Sequence, residues 1–302
     1  MKILKRIALI LIMLCCLQSW SAPSRAQTPA EQVAELMSRM SVEDKVGQLF
    51  IVPFVGANAN PDADIYQLLT EYKVGGVVLL AANSNFRNDP SAPRQITELV
   101  NSLQTTAFNS NGLPLFVAID HEGDDYPFTR ITQGMTPIPS QMAIGATWDV
   151  GNAEAIGQIV GEELGAMGLN MILGPSLDVL NDPRPTGRGD IGIRVYGGDP
   201  YWVGRMGRAY IRGIHQGSGG QMVTVAKHFP GHGGSDRLPD REVATVDKSL
   251  QELRRIELPP FFYATAPLAD DPLGITDALM SSHIRYRGFQ GDIRQFTAPI
   301  SF

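Results

Sequence analysis

Six short apolar runs recur along this chain: Val46–Phe54, Val74–Leu80, Leu115–Ile119, Met171–Leu173 continuing to Val179, Met222–Ala226 and Ala278–Ser281. They are near-continuous rather than alternating. That pattern means burial on both faces, as in a parallel sheet covered by helices. Helical stretches lie between them. Gln95–Phe108 carries Ile96, Leu99, Val100 and Leu103 at i, i+3, i+4, i+7 spacing, and Ala153–Met167, Trp202–His215 and Leu250–Ala264 behave alike. Glu31–Met40 also has helical spacing, and Ser41 followed by Glu43 and Asp44 signals a further helix start. Strand and helix thus alternate, which predicts an α/β fold. A (β/α)8 TIM barrel fits best, truncated after about six β units, and a doubly wound open sheet is second. No Gly-rich phosphate fingerprint follows the first run, which counts against a nucleotide-binding open sheet.

The N-terminus reads as a secretory signal. Lys2, Lys5 and Arg6 precede an apolar stretch from Ile7 to Leu17, and Ser24-Arg25-Ala26 fits a small-x-small cleavage site. Residues 1–26 are therefore assigned as a signal peptide and residues 27–302 as one incomplete barrel. The expected location is periplasmic or extracellular, with no membrane association after cleavage. Both cysteines, Cys15 and Cys16, lie inside the signal, so thiol catalysis, a disulfide framework and a cysteine-ligated metal are excluded from the mature chain. Cleavage takes the formal net charge from −6 to −10, because Lys2, Lys5, Arg6 and Arg25 leave with no acidic residue. An acidic domain is a poor partner for nucleic acid or anionic lipid. At the other end, Ser301 reads as a helix N-cap with only Phe302 after it. The chain is expected to be truncated, with its C-terminal part missing. An open barrel leaves the first and sixth strands with bare edges, so the chain alone is expected to be unstable and inactive.

Polar groups cluster where the apolar runs stop. The third run ends Asp120-His121-Glu122-Gly123. The fourth continues Gly174-Pro175-Ser176-Leu177-Asp178-Val179 and leads to Ile191-Gly192-Ile193-Arg194-Val195-Tyr196-Gly197-Gly198-Asp199-Pro200. The fifth ends Lys227-His228-Phe229-Pro230-Gly231-His232-Gly233, and the sixth ends Ser281-Ser282-His283. Charged side chains at buried strand ends need partners. In parallel α/β folds this edge is where ligands bind. Convergent carboxylate, guanidinium, ammonium and imidazole groups suit a neutral, hydroxyl-rich ligand, since each hydroxyl both donates and accepts. Taken singly, Asp120 reads as a loop cap, Arg194 as an ion-pair member, His283 as a core histidine, His232 as a turn holder and His215 as a surface residue. His228 and His232 are four apart, but Pro230 and Gly231 between them prevent a zinc-binding helix, so no metal is expected.

The four strings beginning at Asp120, Gly174, Ile191 and Lys227, in this order, resemble family 3 glycoside hydrolases, and most of all their β-N-acetylhexosaminidase branch. The resemblance runs from about residue 30 to the last residue. It implies a (β/α)8 barrel without cofactor and retaining hydrolysis of terminal β-linked sugars, typically N-acetylglucosamine, as in peptidoglycan or chitin fragments. By motif position it implies that Asp120, Lys227, His228 and Arg194 contact the carbohydrate substrate, that Arg130 joins them, and that His283 lines the same pocket.

Three departures stand out. The family's nucleophilic aspartate follows the seventh strand, beyond the end of this chain. The branch's Asp-x-His acid/base pair falls here on Leu238 and Asp240, so the imidazole is missing. Asp240 becomes the candidate acid/base, with Asp236 and Glu242 in reserve, and such a carboxyl group would need a raised pKa. The motif at the end of the third run continues Gly123-Asp124-Asp125 where the family has two glycines. A β-glucosidase specificity, a non-catalytic sugar-binding barrel and a metallohydrolase are the rival readings.

Overall fold

The computed structural model describes residues 27–123, 130–183, 191–237 and 243–291. The signal segment and Asp240 and Glu242 lie outside these residues. The chain divides after Lys45 into a short N-terminal unit and a main unit. The N-terminal unit is built on helix Pro29–Arg39. Thr28 and Glu31 close a capping box at its start, and Pro29 occupies the first turn, where no N–H is needed.

The main unit is built on six parallel strands in the order β1-β2-β3-β4-β5-β7. These are β1 Ile51–Pro53, β2 Gly76–Leu79, β3 Phe116–Ile119, β4 Met171–Ile172, β5 Val223–Phe229 and β7 Ala278–Ser281. Sequence neighbours pair throughout, as in a barrel wall, and the sheet is an open half-barrel. Among the described residues β1 pairs only with β2 within it, and β7 only with β5. A small parallel ladder joins β6 (Thr245–Val246) to β8 (Arg285–Tyr286). It encloses its own apolar cluster of Ala244, Val246, Leu253, Ile284 and Tyr286. Sequence periodicity gives no sign of this two-residue ladder.

All six apolar runs contain a sheet strand, but their lengths differ from expectation. The first run is split. Ser41 caps helix Val42–Gly47, accepting from Asp44 N at 3.0 Å, and that helix takes the first residues of the run. The fourth run keeps only Met171–Ile172 as strand. Beyond it Pro175 has no N–H to give, and Leu177 N donates instead to Lys227 O at 2.6 Å. The fifth runs on past Ala226 to Phe229, so Lys227 and His228 lie within β5.

The helices cover the sheet with the predicted stripes. Ile96, Leu99, Val100 and Leu103 of helix Ala92–Asn111 are buried. Helices Val150–Ala166 and Pro200–Gly217 approach closely enough that a Cβ on Gly213 would sit 2.1 Å from Glu154 O. His215, expected at the surface, is buried. Its Nδ1 lies 2.6 Å from Leu273 O and its Nε2 2.9 Å from Asp277 Oδ2. Arg208, two turns earlier on the same helix, is buried against Asp271 and three backbone carbonyls. An amphipathic pattern cannot show that a polar helix face is covered by a loop arriving some 60 residues later. No helix among the described residues is long and apolar enough to cross a membrane.

Candidate active site

The polar strand ends of β3, β4 and β5 meet at the C-terminal edge of the sheet. Asp120 and Glu122, two residues apart just beyond β3, both reach Lys227. Lys227, only 1% exposed, sits between the two carboxylates, with Nζ 3.0 Å from Asp120 Oδ1 and 2.7 Å from Glu122 Oε1. Arg194, on the short helical turn Gly192–Arg194, pairs with the same Glu122 at 2.5 Å. Two cations and two anions thus balance. Burial alone would raise the Glu122 carboxyl, but Lys227 and Arg194 overcome it and hold it down at about 2. Burial opposes the Lys227 charge in turn, and Asp120 and Glu122 outweigh it, leaving the ammonium above its ordinary value. Asp120 is the most open member of the trio.

A second unit adjoins this one. Asp178 is fully buried. It accepts from His228 Nδ1 at 2.7 Å, from His232 N at 2.6 Å and from Ser176 Oγ at 2.8 Å. Burial would raise this carboxyl, yet His228 and these N–H donors hold it well below the usual carboxylate range. A carboxylate only accepts, so His228 Nδ1 carries the hydrogen of this contact. The pairing of β5 with β7 slips between Lys227 and Phe229, and this bulge falls on His228. The Gly174–Pro175, Lys227–His228 and Phe229–Pro230 peptide bonds are cis.

Of the residues singled out from sequence, Asp120, Arg194 and Lys227 form one connected cluster, with His228 beside Lys227 on β5. Arg130 lies close enough to His121 to act on its charge. His121 itself is buried with no hydrogen-bond partner among the described residues. Burial, then Arg130, depress it to about 4, so it is neutral at pH 7. His283 is exposed just after β7 and is not the core histidine that it resembles when read alone. Asp236 accepts from Thr245 N at 2.7 Å and pairs with Arg237, which makes it a loop-forming residue. Asp240 lies outside the described residues. His232 is buried in its turn, and burial pushes it down to about 4.

Glu122 and Asp178 are the site residues that sequence reasoning passed over. A signal for Glu122 was present, because it stands two residues from Asp120. Nothing local marks Asp178 as the anion for His228, 50 residues away. Glu257 was also missed. It is fully buried beside the Gly231 turn and pairs with Lys248, and burial pushes its carboxyl up to about 7 against the pull of Lys248. Among the described residues no three or more His, Asp, Glu or Cys converge as a metal site.

A parallel half-barrel with paired charges on the C-terminal edge of its strands defines a barrel-type α/β protein with its polar groups in the usual ligand position. The chain belongs to glycosyl hydrolase family 3: the Glycosyl hydrolase family 3 N terminal domain matches residues 41–301. It is 32% identical over 228 residues to the β-hexosaminidase of Pseudomonas aeruginosa PAO1, covering 74% of this chain and 59% of that protein. It is 29% identical over 228 residues to β-hexosaminidase A of Pseudoalteromonas piscicida, covering 74% and 35%. Among solved structures, a family 3 β-N-acetylglucosaminidase from a Paenibacillus species superimposes with a TM-score of 0.73 at 35% identity, covering 86% of this chain and 44% of that one. A β-N-acetylhexosaminidase from Beutenbergia cavernae gives 0.67 at 25% identity, covering 86% and 71%. The chain therefore spans less than two thirds of each of the two curated relatives.

Proposed function

We propose that this chain forms the sugar-binding part of an exported β-N-acetylhexosaminidase-type glycosidase. The reaction would be retaining hydrolysis of terminal β-linked N-acetylglucosamine. The observation that carries this reading is Lys227 held between Asp120 and Glu122, with Arg194 closing the set. The cluster is charge-balanced, so a neutral ligand enters without leaving an unpaired ion. Lys227 fixes one oxygen of Asp120 and leaves the carboxylate half-buried at the rim, able to accept from a sugar hydroxyl. His228 stands beside Lys227 on the same strand and adds a second polar ring to this edge. Fixed donors and acceptors of this kind stabilise a distorted, oxocarbenium-like ring when their hydrogen bonds shorten in the transition state.

On this reading the nucleophilic aspartate would lie beyond Phe302. It would attack the anomeric carbon, and an acid group would protonate the leaving oxygen. Asp240 is the proposed acid/base. Asp236 is a weaker candidate, since its carboxylate is occupied by Thr245 N and Arg237.

The test is an assay of the whole gene product, read through past Phe302, on paired aryl β-N-acetylglucosaminide and β-glucoside substrates. Preference for the acetamido sugar, with activity lost in Asp120→Asn, supports the proposal. Preference for glucoside moves the substrate to the β-glucosidase type. Turnover of neither leaves sugar binding without catalysis. Recovery of the mature protein from the periplasm or medium tests export.

A further inference from the structure

Three aromatic rings stand together at the surface, outside the charged cluster. Trp148 is 61% exposed and Tyr201 62%. Trp202 lies between them, edge-on to Trp148 at 5.3 Å and to Tyr201 at 5.7 Å, and it packs inward against the core. Arg205 lies over Tyr201 and Trp202, 5.7 and 5.3 Å from their centroids, which braces the group from one side. Trp148 has a φ of +54°, a backbone conformation unfavourable for a bulky residue and one that projects this ring from the chain just ahead of its helix. Burial of an aromatic normally outweighs such strain, yet here the ring is left in water. An exposed cluster of this size marks an interaction surface.

Its place in the fold decides what it faces. Helix Val150–Ala166 ends just before β4 begins, and helix Pro200–Gly217 ends just before β5. Both helices therefore run antiparallel to the strands, and their N-termini lie on the side where the strands end. Asp149 caps the first and Asp199 the second, the latter accepting from Tyr201 N and Trp202 N. Trp148 and Tyr201 thus stand at the same edge of the barrel as the charged cluster. Arg194 lies in the β4-to-helix connection and Tyr201 in the first turn of the helix that follows, seven residues on.

The geometry points to Trp148, Trp202, Tyr201 and Arg205 as a secondary glycan-binding platform that holds the distal part of a β-linked N-acetylglucosamine chain outside the cleft. The chemistry fits. A β-linked pyranose presents a flat face of C–H groups, which the electron-rich faces of Trp and Tyr attract, and a rim of hydroxyls and amides that the guanidinium, indole N–H and phenol can bond. The formal net charge of −6 disfavours anionic lipid and nucleic acid, the other common users of exposed Trp, Tyr and Arg. The length of glycan this surface takes rests on the glycosidase reading above, whereas binding itself does not require catalysis.

The experiment is a titration of the 302-residue protein with N-acetylglucosamine oligomers of two and six units, followed by intrinsic tryptophan fluorescence and calorimetry. Trp148→Ala and Tyr201→Ala are each expected to weaken the hexasaccharide by about tenfold, the order of one lost ring contact, and to leave the disaccharide unchanged. Trp148→Phe should keep most of the affinity. If Trp148→Ala fails to fold, Tyr201→Ala and a shift of the Trp148 indole N–H signal in the unmodified protein carry the same test. Unchanged hexasaccharide affinity in both alanine variants overturns the platform. Trp148-dependent binding to phosphatidylcholine–phosphatidylglycerol vesicles without hexasaccharide binding also overturns it. Asp120→Asn separates the two readings. Hexasaccharide binding that needs Trp148 but not Asp120 keeps the platform and removes the cleft, and the converse keeps the cleft alone.

Discussion

Asp178 Oδ2 lies 2.7 Å from Nδ1 of His228, across 50 residues of sequence, and Oδ1 of the same carboxylate takes the backbone N–H of His232 at 2.6 Å. One buried anion therefore fixes both histidines of the Lys227–Gly233 segment. In Asp178→Asn one terminus becomes a donor facing existing donors. We expect a loss of about 3 kcal/mol or more, the range for breaking a buried ionic contact. Ser176→Ala removes one charge-assisted hydrogen bond to the same carboxylate and leaves the others in place, so it should cost less, about 1.5 kcal/mol. Urea unfolding of the two variants checks the ranking, and equal losses would contradict it.

Glu122 should make the protein acid-labile. Its carboxyl moves from an ordinary 4.5 to about 2 on folding. A depressed carboxylate contributes stability above its unfolded pKa and loses it as pH falls through the folded one. The window is thus pH 4.5 down to 2, worth about 3 kcal/mol. Urea midpoints across that window should fall in the unmodified protein and fall less steeply in Glu122→Gln. At pH 7 the variant should also be weaker, because Lys227 and Arg194 lose their shared anion.

Between pH 6.5 and 4.5 three buried groups compete. His121 and His232 are held down at about 4 against an ordinary 6.5, so the unfolded chain takes their protons first and stability falls on acidification. Glu257 is raised from 4.5 to about 7, and its contribution is present below pH 4.5 and lost as pH rises through 7. Two histidines outweigh one carboxyl, and the net fall from pH 7 to 4.5 is about 2 kcal/mol. Glu257→Gln should make the fall steeper and His121→Gln shallower, as read from melting temperatures at matched pH.

Gly231 should not accept a side chain. Its φ is +134°, and a Cβ there would meet Glu257 Oε2 at 2.4 Å and Glu257 Cβ at 2.6 Å. Gly231→Ala combines backbone strain with a clash against a buried residue, so a cost of at least about 2 kcal/mol is expected. Gly56, at φ +99° with nothing within 4 Å of a Cβ, isolates the backbone contribution. Gly56→Ala should cost about 1 kcal/mol. Thermal melts of the two variants compare them directly.

The architecture was legible because parallel strands and their covering helices write local periodicity into the chain. The runs at Gly76–Leu79, Phe116–Ile119 and Ala278–Ser281 and the stripe of helix Ala92–Asn111 needed nothing beyond their own residues. Strand ends were less legible. Beyond the last ladder residue of β4, Leu177 N still bonds across to Lys227 O of β5, a neighbour that local pattern does not name.

The sequence by itself determined that charge begins at Asp120 and Lys227, where the apolar runs stop, although β5 itself continues through Lys227 and His228 to Phe229. Helix starts such as Thr28 with Glu31 and Ser249 with Glu252 were likewise set within four residues. Only the tertiary structure decided which charges meet. Glu122 finds Arg194 across 72 residues, Asp178 finds His228 across 50, and the polar face around His215 is covered by a loop arriving some 60 residues later. Local rules act through backbone geometry over one or two turns. Desolvation and ion pairing act between whichever groups the sheet register brings within 3 Å, and that register belongs to the assembled fold.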